Sequence, residues 1–104
     1  MLKKRLLSSL QDIQYDVDRK INSPMTQSKL SQALIKTVDQ WTSVIKPQLE
    51  MFGFESKRIV ELDSLFNELG RYRTVGRSLE TLKQILTQIS ECLIDEFIHP
   101  LRKQ

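Results

Sequence analysis

Two stretches of this sequence hold residue types that could do chemistry. The first, Gly70-Arg71-Tyr72-Arg73-Thr74-Val75-Gly76-Arg77-Ser78, carries three arginines and no acid just ahead of an expected helix N-terminus. Free N–H groups at such a terminus favour anions. The stretch nevertheless fails the phosphate-loop pattern G-x4-G-K-[ST] on three counts: five residues separate its glycines, Arg77 stands where the lysine belongs, and a helix rather than a strand precedes it. What is left is a basic loop. Its arginines either pair with acids of a neighbouring helix or, together with Lys57 and Arg58, contact an anion or the phosphates of a nucleic acid. Arg71, Arg73, Arg77, Lys57 and Arg58 are therefore the candidate anion contacts.

The second stretch is Cys92 to Pro100. Glu96 and His99 form a Glu-x-x-His pair, the spacing that sets two metal ligands on one helix face in carboxylate-bridged bundles. Such centres need two of these pairs, and the chain has 1 histidine. His99 also precedes Pro100, where helical geometry is disfavoured. The single cysteine and the single histidine are seven residues apart, about two helical turns or ~10 Å, too far for a nucleophile and its base. The sequence thus assigns no catalytic, metal or cofactor-binding residue and is read as non-enzymatic.

The elements that would position these residues are all helical. The longest apolar stripe runs along Ser78 to Pro100, where Leu79, Leu82, Ile85, Leu86, Ile89, Cys92, Leu93 and Phe97 share a face. Ser78 suits the N-cap, Glu80 the positive end of the helix dipole, and Pro100 the stop. Leu2, Leu6, Leu7, Leu10, Ile13, Val17 and Ile21 mark a first helix over 2–21, with Asp12, Asp16 and Arg19 outside. Ser23 and Pro24 read as the cap and first residue of a second helix, whose inner face is Leu30, Leu34, Ile35, Val38, Trp41 and Ile45. Pro47 should kink or end it. Phe52 and Phe54, flanking Gly53, should plug one end of the core. A third helix over 56–69 turns Ile59, Leu62, Leu65, Phe66 and Leu69 inward and ends at Gly70.

The expected fold is all-α, a four-helix up-down bundle formed as a single domain over 1–104, with 100–104 a short tail or linker. The alternative keeps residues 56–98 as one helix and gives three long helices, because the apolar phase survives across the 70–77 loop. In the bundle, the start of the first helix and the end of the fourth share a pole. Glu91, Asp95 and Glu96 would there offset Lys3, Lys4 and Arg5.

Composition fits this picture. A length of 104 residues with 39% hydrophobic and 28% charged side chains is that of one globular domain. A net charge of +3 is too small to argue by itself for nucleic acid. One cysteine excludes an internal disulfide, and Cys92 sits on the apolar stripe as a small core residue. No apolar run approaches the ~18–20 residues of a membrane span, which points to a cytoplasmic chain without membrane contact. Ile94 and Ile98 fall off the main stripe of the fourth helix and, with Phe97 and Leu101, make its last turns apolar on more than half their circumference. A second copy or another protein should cover that face. The functional expectation is a non-catalytic helical interaction or oligomerisation module, whole or as a domain of a larger protein, with Ile94, Phe97, Ile98 and Leu101 at the interface. The alternative is a nucleic-acid-binding helical protein using the 70–77 loop.

Overall fold

The computed structural model describes residues 2–75 and 78–103, without the side chains of Leu2 and of residues 72–75. The helices make four rods. α1 (Leu2–Ile21) is the first. α2 (Gln27–Gln40), a π-turn (Trp41–Ile45) and α3 (Lys46–Phe52) run on as the second. α4 (Ser56–Val75) is the third, and α5 (Leu79–Cys92), a second π-turn (Leu93–Ile98) and α6 (His99–Lys103) form the fourth. No strand occurs among the described residues. α1 packs on the second and fourth rods, and α4 packs on the same two, so α1 and α4 face each other across the core. This is the expected all-α bundle.

Local chemistry sets the rod ends. Ser78 is extended, at φ −63° and ψ 154°, and its hydroxyl accepts the Thr81 N–H. The third and fourth rods are therefore separate, and the arrangement with 56–98 as one helix does not form. Gly70 does not end α4, contrary to the sequence expectation; the helix continues to Val75. A Cβ built on Gly70 meets nothing within 4 Å, so no close approach demands glycine there. The helical cost of glycine, about 1 kcal/mol against alanine, is too small to stop a helix that packing supports. Gly53 is different. Its φ of 98° lies in the left-handed region, and its N–H and that of Phe54 both reach the Leu49 carbonyl, which caps α3. The second rod also starts later than expected. Its N-cap is Thr26, which accepts from the Lys29 N–H, while Ser23 instead accepts from Met25 N–H in the preceding turn.

Neither Pro47 nor Pro100 ends its rod. A proline offers no N–H and its ring crowds the carbonyl four residues back. Both rods meet this with a π-turn immediately before the proline-bearing turn, where the ladder lengthens: Lys46 N–H reaches the Trp41 carbonyl and His99 N–H reaches the Ile94 carbonyl. An i→i−5 ladder brings residue i+5 back above residue i, whereas an α-helix would set it roughly 140° away. Ile98 thereby returns above Leu93 and enters the core at 4% exposure. Past the turn the helix continues as α6, so residues 100–103 are part of the bundle and not a tail.

The core runs the length of the four rods, from Leu6, Leu49, Phe97 and Leu101 at one end to Val17, Leu30, Leu69 and Leu82 at the other. Trp41 stacks on Phe66 with ring centroids 4.9 Å apart and planes 9° from parallel. Phe54 meets Phe97 edge-on at 5.0 Å and Phe52 at 5.5 Å, closing one end as the sequence suggested. On α2 the periodicity misplaces one residue. Ile35 is 51% exposed, and Thr37 is buried where it donates to Asp16 at 2.8 Å.

Three aspartates tie the rods together. Asp16, expected outside, is half-buried and also takes the Lys20 ammonium at 2.7 Å. Burial would raise its pKa above the ordinary 3.8, but hydrogen bonds from Lys20 and Thr37, the Lys20 charge and a hydrogen bond from Arg19 outweigh it and hold the carboxyl below that value. Asp18 accepts from Ser90 on α5 at 2.6 Å and from Gln14 on its own helix. Asp63 accepts the Trp41 indole N–H at 2.9 Å on one oxygen and the Lys46 ammonium at 3.2 Å on the other. Trp41 and Lys46 are five apart, so the π-turn is what aims both at one carboxylate.

Two paired substitutions check these assignments. Ile98→Ala should lower stability by about 2–5 kcal/mol as a core truncation, while Ile94→Ala should stay within about 0.5 kcal/mol; urea denaturation reads both, and equal effects would refute the π-turn phase. Gly70→Ala should raise stability by about 0.5–1 kcal/mol, and Gly53→Ala should lower it by about 1–2 kcal/mol, because only the second position is left-handed. Thermal melts followed by circular dichroism would expose a reversed order.

Candidate functional site

The structure disperses the basic residues that the sequence grouped. Lys57 and Arg58 open α4 and Arg71 lies near its other end, thirteen residues from Arg58, or about 20 Å of helix. Lys57 and Arg71 are exposed. Arg58 is occupied: its Nε lies 3.4 Å from a Glu96 carboxylate oxygen and its NH1 donates to the Glu96 carbonyl at 3.5 Å. That carbonyl stands four residues before Pro100 and has no N–H to receive from it, which gives the arginine a structural task. The Arg73 side chain and Arg77 lie outside the described residues.

The apolar interface is redrawn in the same way. Of its four residues, Phe97 and Leu101 are fully buried and Ile98 nearly so in the chain's own core, and Ile94 alone is exposed, at 36%. The two-sided apolar end expected of the fourth helix does not form, because the π-turn brings Ile98 inward with Phe97 and Leu101. Glu96 is matched by Arg58 between α4 and the π-turn of the fourth rod, and not by the expected Lys3, Lys4 and Arg5. His99 is exposed, and no cluster of three or more His, Cys, Asp or Glu suited to a metal ion occurs among the described residues. Trp41 is buried, as expected.

What the fold does bring together is an acidic groove between α4 and the fourth rod. Glu61 from α4 faces Glu91, Asp95 and Glu96, spaced at helical intervals along the opposite wall, above a floor that includes Leu65 and Cys92. The groove encloses about 560 Å³. α4 presents Glu61 because Leu62, Leu65 and Phe66 must turn inward beside it. Glu91 and Asp95 lie one turn apart, the i, i+4 relation that shares a helix face. That half of the groove was visible in the sequence, but its pairing with Glu61 was not.

Cys92 is half-buried here, packed against the core rather than within it. Burial, followed by the charges of Glu61, Glu96 and Asp95, raises its pKa from an ordinary 9.0 to about 11. A thiol reacts as its thiolate, so at a given pH below its pKa this one is less reactive than an ordinary thiol. In comparisons with protein-family models, curated proteins and solved structures, nothing matches this chain. Among the described residues no helix is long and apolar enough to cross a membrane.

Alkylation tests the electrostatics of the groove. At pH 8, iodoacetamide should modify Cys92 about 100-fold more slowly than an unperturbed thiol, the ratio set by two pH units of thiolate depletion. The rate should keep rising beyond pH 10, and Glu61→Gln should speed it. A midpoint near 9 in the wild-type chain would contradict the groove as described.

Proposed function

We propose that the chain is a non-catalytic interaction module and that its working surface is the acidic groove between α4 and the fourth rod. The observation that carries this reading is the composition of the groove. Four carboxylates line it with a single guanidinium, Arg58, among them, over a floor containing apolar Leu65 and half-buried Cys92. With Arg58 paired to Glu96, the groove keeps an excess of acidic side chains that a cationic partner would complement. An acidic rim over an apolar floor suits a basic amphipathic segment of another protein, with aliphatic side chains down and Lys or Arg at the edges. Buried Phe97, Ile98 and Leu101 leave self-association no broad apolar face on the fourth rod, so the partner in this reading is a different chain. The low thiolate fraction of Cys92 favours a binding role over a nucleophilic one.

Titration with a synthetic Lys/Leu amphipathic helical peptide, followed by amide chemical shifts, tests the proposal. Saturable shifts should cluster at Glu61, Gln88, Cys92 and Asp95, and Glu61→Lys with Asp95→Lys should abolish them at low salt. Shifts spread over the whole surface, or unaffected by the double reversal, would overturn it.

A further inference from the structure

We infer that Arg58 is an autoinhibitory occupant of the acidic groove: in the free chain it holds Glu96, and a docking cationic segment must take that carboxylate from it. The inference rests on the reading of the groove as a binding surface. It begins with the way α4 enters the bundle. Arg58 lies in the first turn of α4, beside Ile59 and Leu62, which turn into the core. Glu61 follows Arg58 by three residues, so the two share a side of the helix. That side faces the fourth rod. Glu61 therefore lines the groove wall, and the guanidinium meets the groove at its Glu96 end.

Two different atoms of Glu96 receive the arginine. Nε lies 3.4 Å from the carboxylate Oε2, and NH1 lies 3.5 Å from the backbone carbonyl. Charge-assisted bonds ordinarily measure about 2.7–2.9 Å, and the pair of buried Lys20 with Asp16 reaches 2.7 Å. The Arg58 and Glu96 side chains are 39% and 40% exposed, so water competes for both charges. A long, half-exposed pair of this kind contributes little and is readily exchanged. The carbonyl contact is independent of the carboxylate one. Arg58 can release Oε2 and keep NH1 on the carbonyl that Pro100 leaves without an N–H, so the exchange spares the π-turn. Glu61, Glu91 and Asp95 are exposed and meet an incoming segment first. Its lysine or arginine then replaces Arg58 on Glu96 and restores the charge pair. A segment without a cation at that point leaves Arg58 across the end of the groove, and the contact thereby selects the occupant.

Calorimetric titration with the Lys/Leu helical peptide at low salt tests the exchange, with the fold of each variant checked by circular dichroism. Arg58→Gln should tighten binding about two- to fivefold, the worth of an exposed ion pair. Lys57→Gln removes the same charge from the neighbouring exposed position and should tighten it less. Glu96→Gln should weaken wild-type binding less than Asp95→Gln does, because the Glu96 carboxylate is already engaged. In the Arg58→Gln background the two losses should become alike. Equal gains from the two cation removals, or a Glu96→Gln loss independent of Arg58, overturn the inference and leave the groove a binding surface. The wild-type chain supplies a check free of any substitution at Arg58. As the peptide saturates, the Arg58 Nε–H resonance should move toward its position in Glu96→Gln, and an unmoved resonance at saturation overturns the inference. No saturable binding by the wild-type chain overturns both this inference and the reading of the groove.

Discussion

A helix that carries proline in its interior must do without one N–H and make room for a ring, and this bundle faces that requirement in two of its four rods. Pro47 and Pro100 each follow a π-turn, in which the ladder lengthens by one residue. The consequence reaches beyond the backbone. The added residue rotates everything after it, so it decides which side chains meet the core. At Pro100 it brings Ile98 over Leu93 and keeps Leu101 buried. At Pro47 it sets Lys46 over Trp41, and both donate to Asp63. The carbonyl opposite Pro100 is answered from outside the helix by Arg58.

The polar ties follow from the same geometry. Hydrophobic burial is non-directional and would tolerate rods sliding by a turn. Asp16, Asp18 and Asp63 each accept from a second rod, and a slide of one turn would leave half-buried carboxylates without their donors. Their contribution lies as much in selecting one register as in adding stability. The stacked Trp41–Phe66 pair works alongside them, since the indole must keep both its ring contact and its N–H partner.

Register, in turn, arranges the surface charge. The chain carries a modest excess of basic residues, yet packing of α4 on the fourth rod gathers an acidic groove from both. Burial, followed by the groove's carboxylates, raises the pKa of the Cys92 thiol, which forms part of the groove floor.

The sequence by itself determined the helices. Periodicity located all four rods, placed α1 at its observed bounds, named Ser78 as a cap and Gly53 as a terminator, and identified Trp41 and Phe66 as core. Those features depend on neighbours within a few residues, and local pattern records them. Tertiary structure alone decided the rest. Whether a proline stops a helix or is absorbed by a π-turn depends on whether packing rewards the continued rod, and Ile98, Leu101 and the supposed partner face turned on that choice. Whether Gly70 ends a helix is a contest between about 1 kcal/mol of local preference and the burial of the surrounding stripe. The match of Glu61 to Glu91 needs the register between rods, which is fixed by contacts between residues tens of positions apart and leaves no trace in the spacing of either helix.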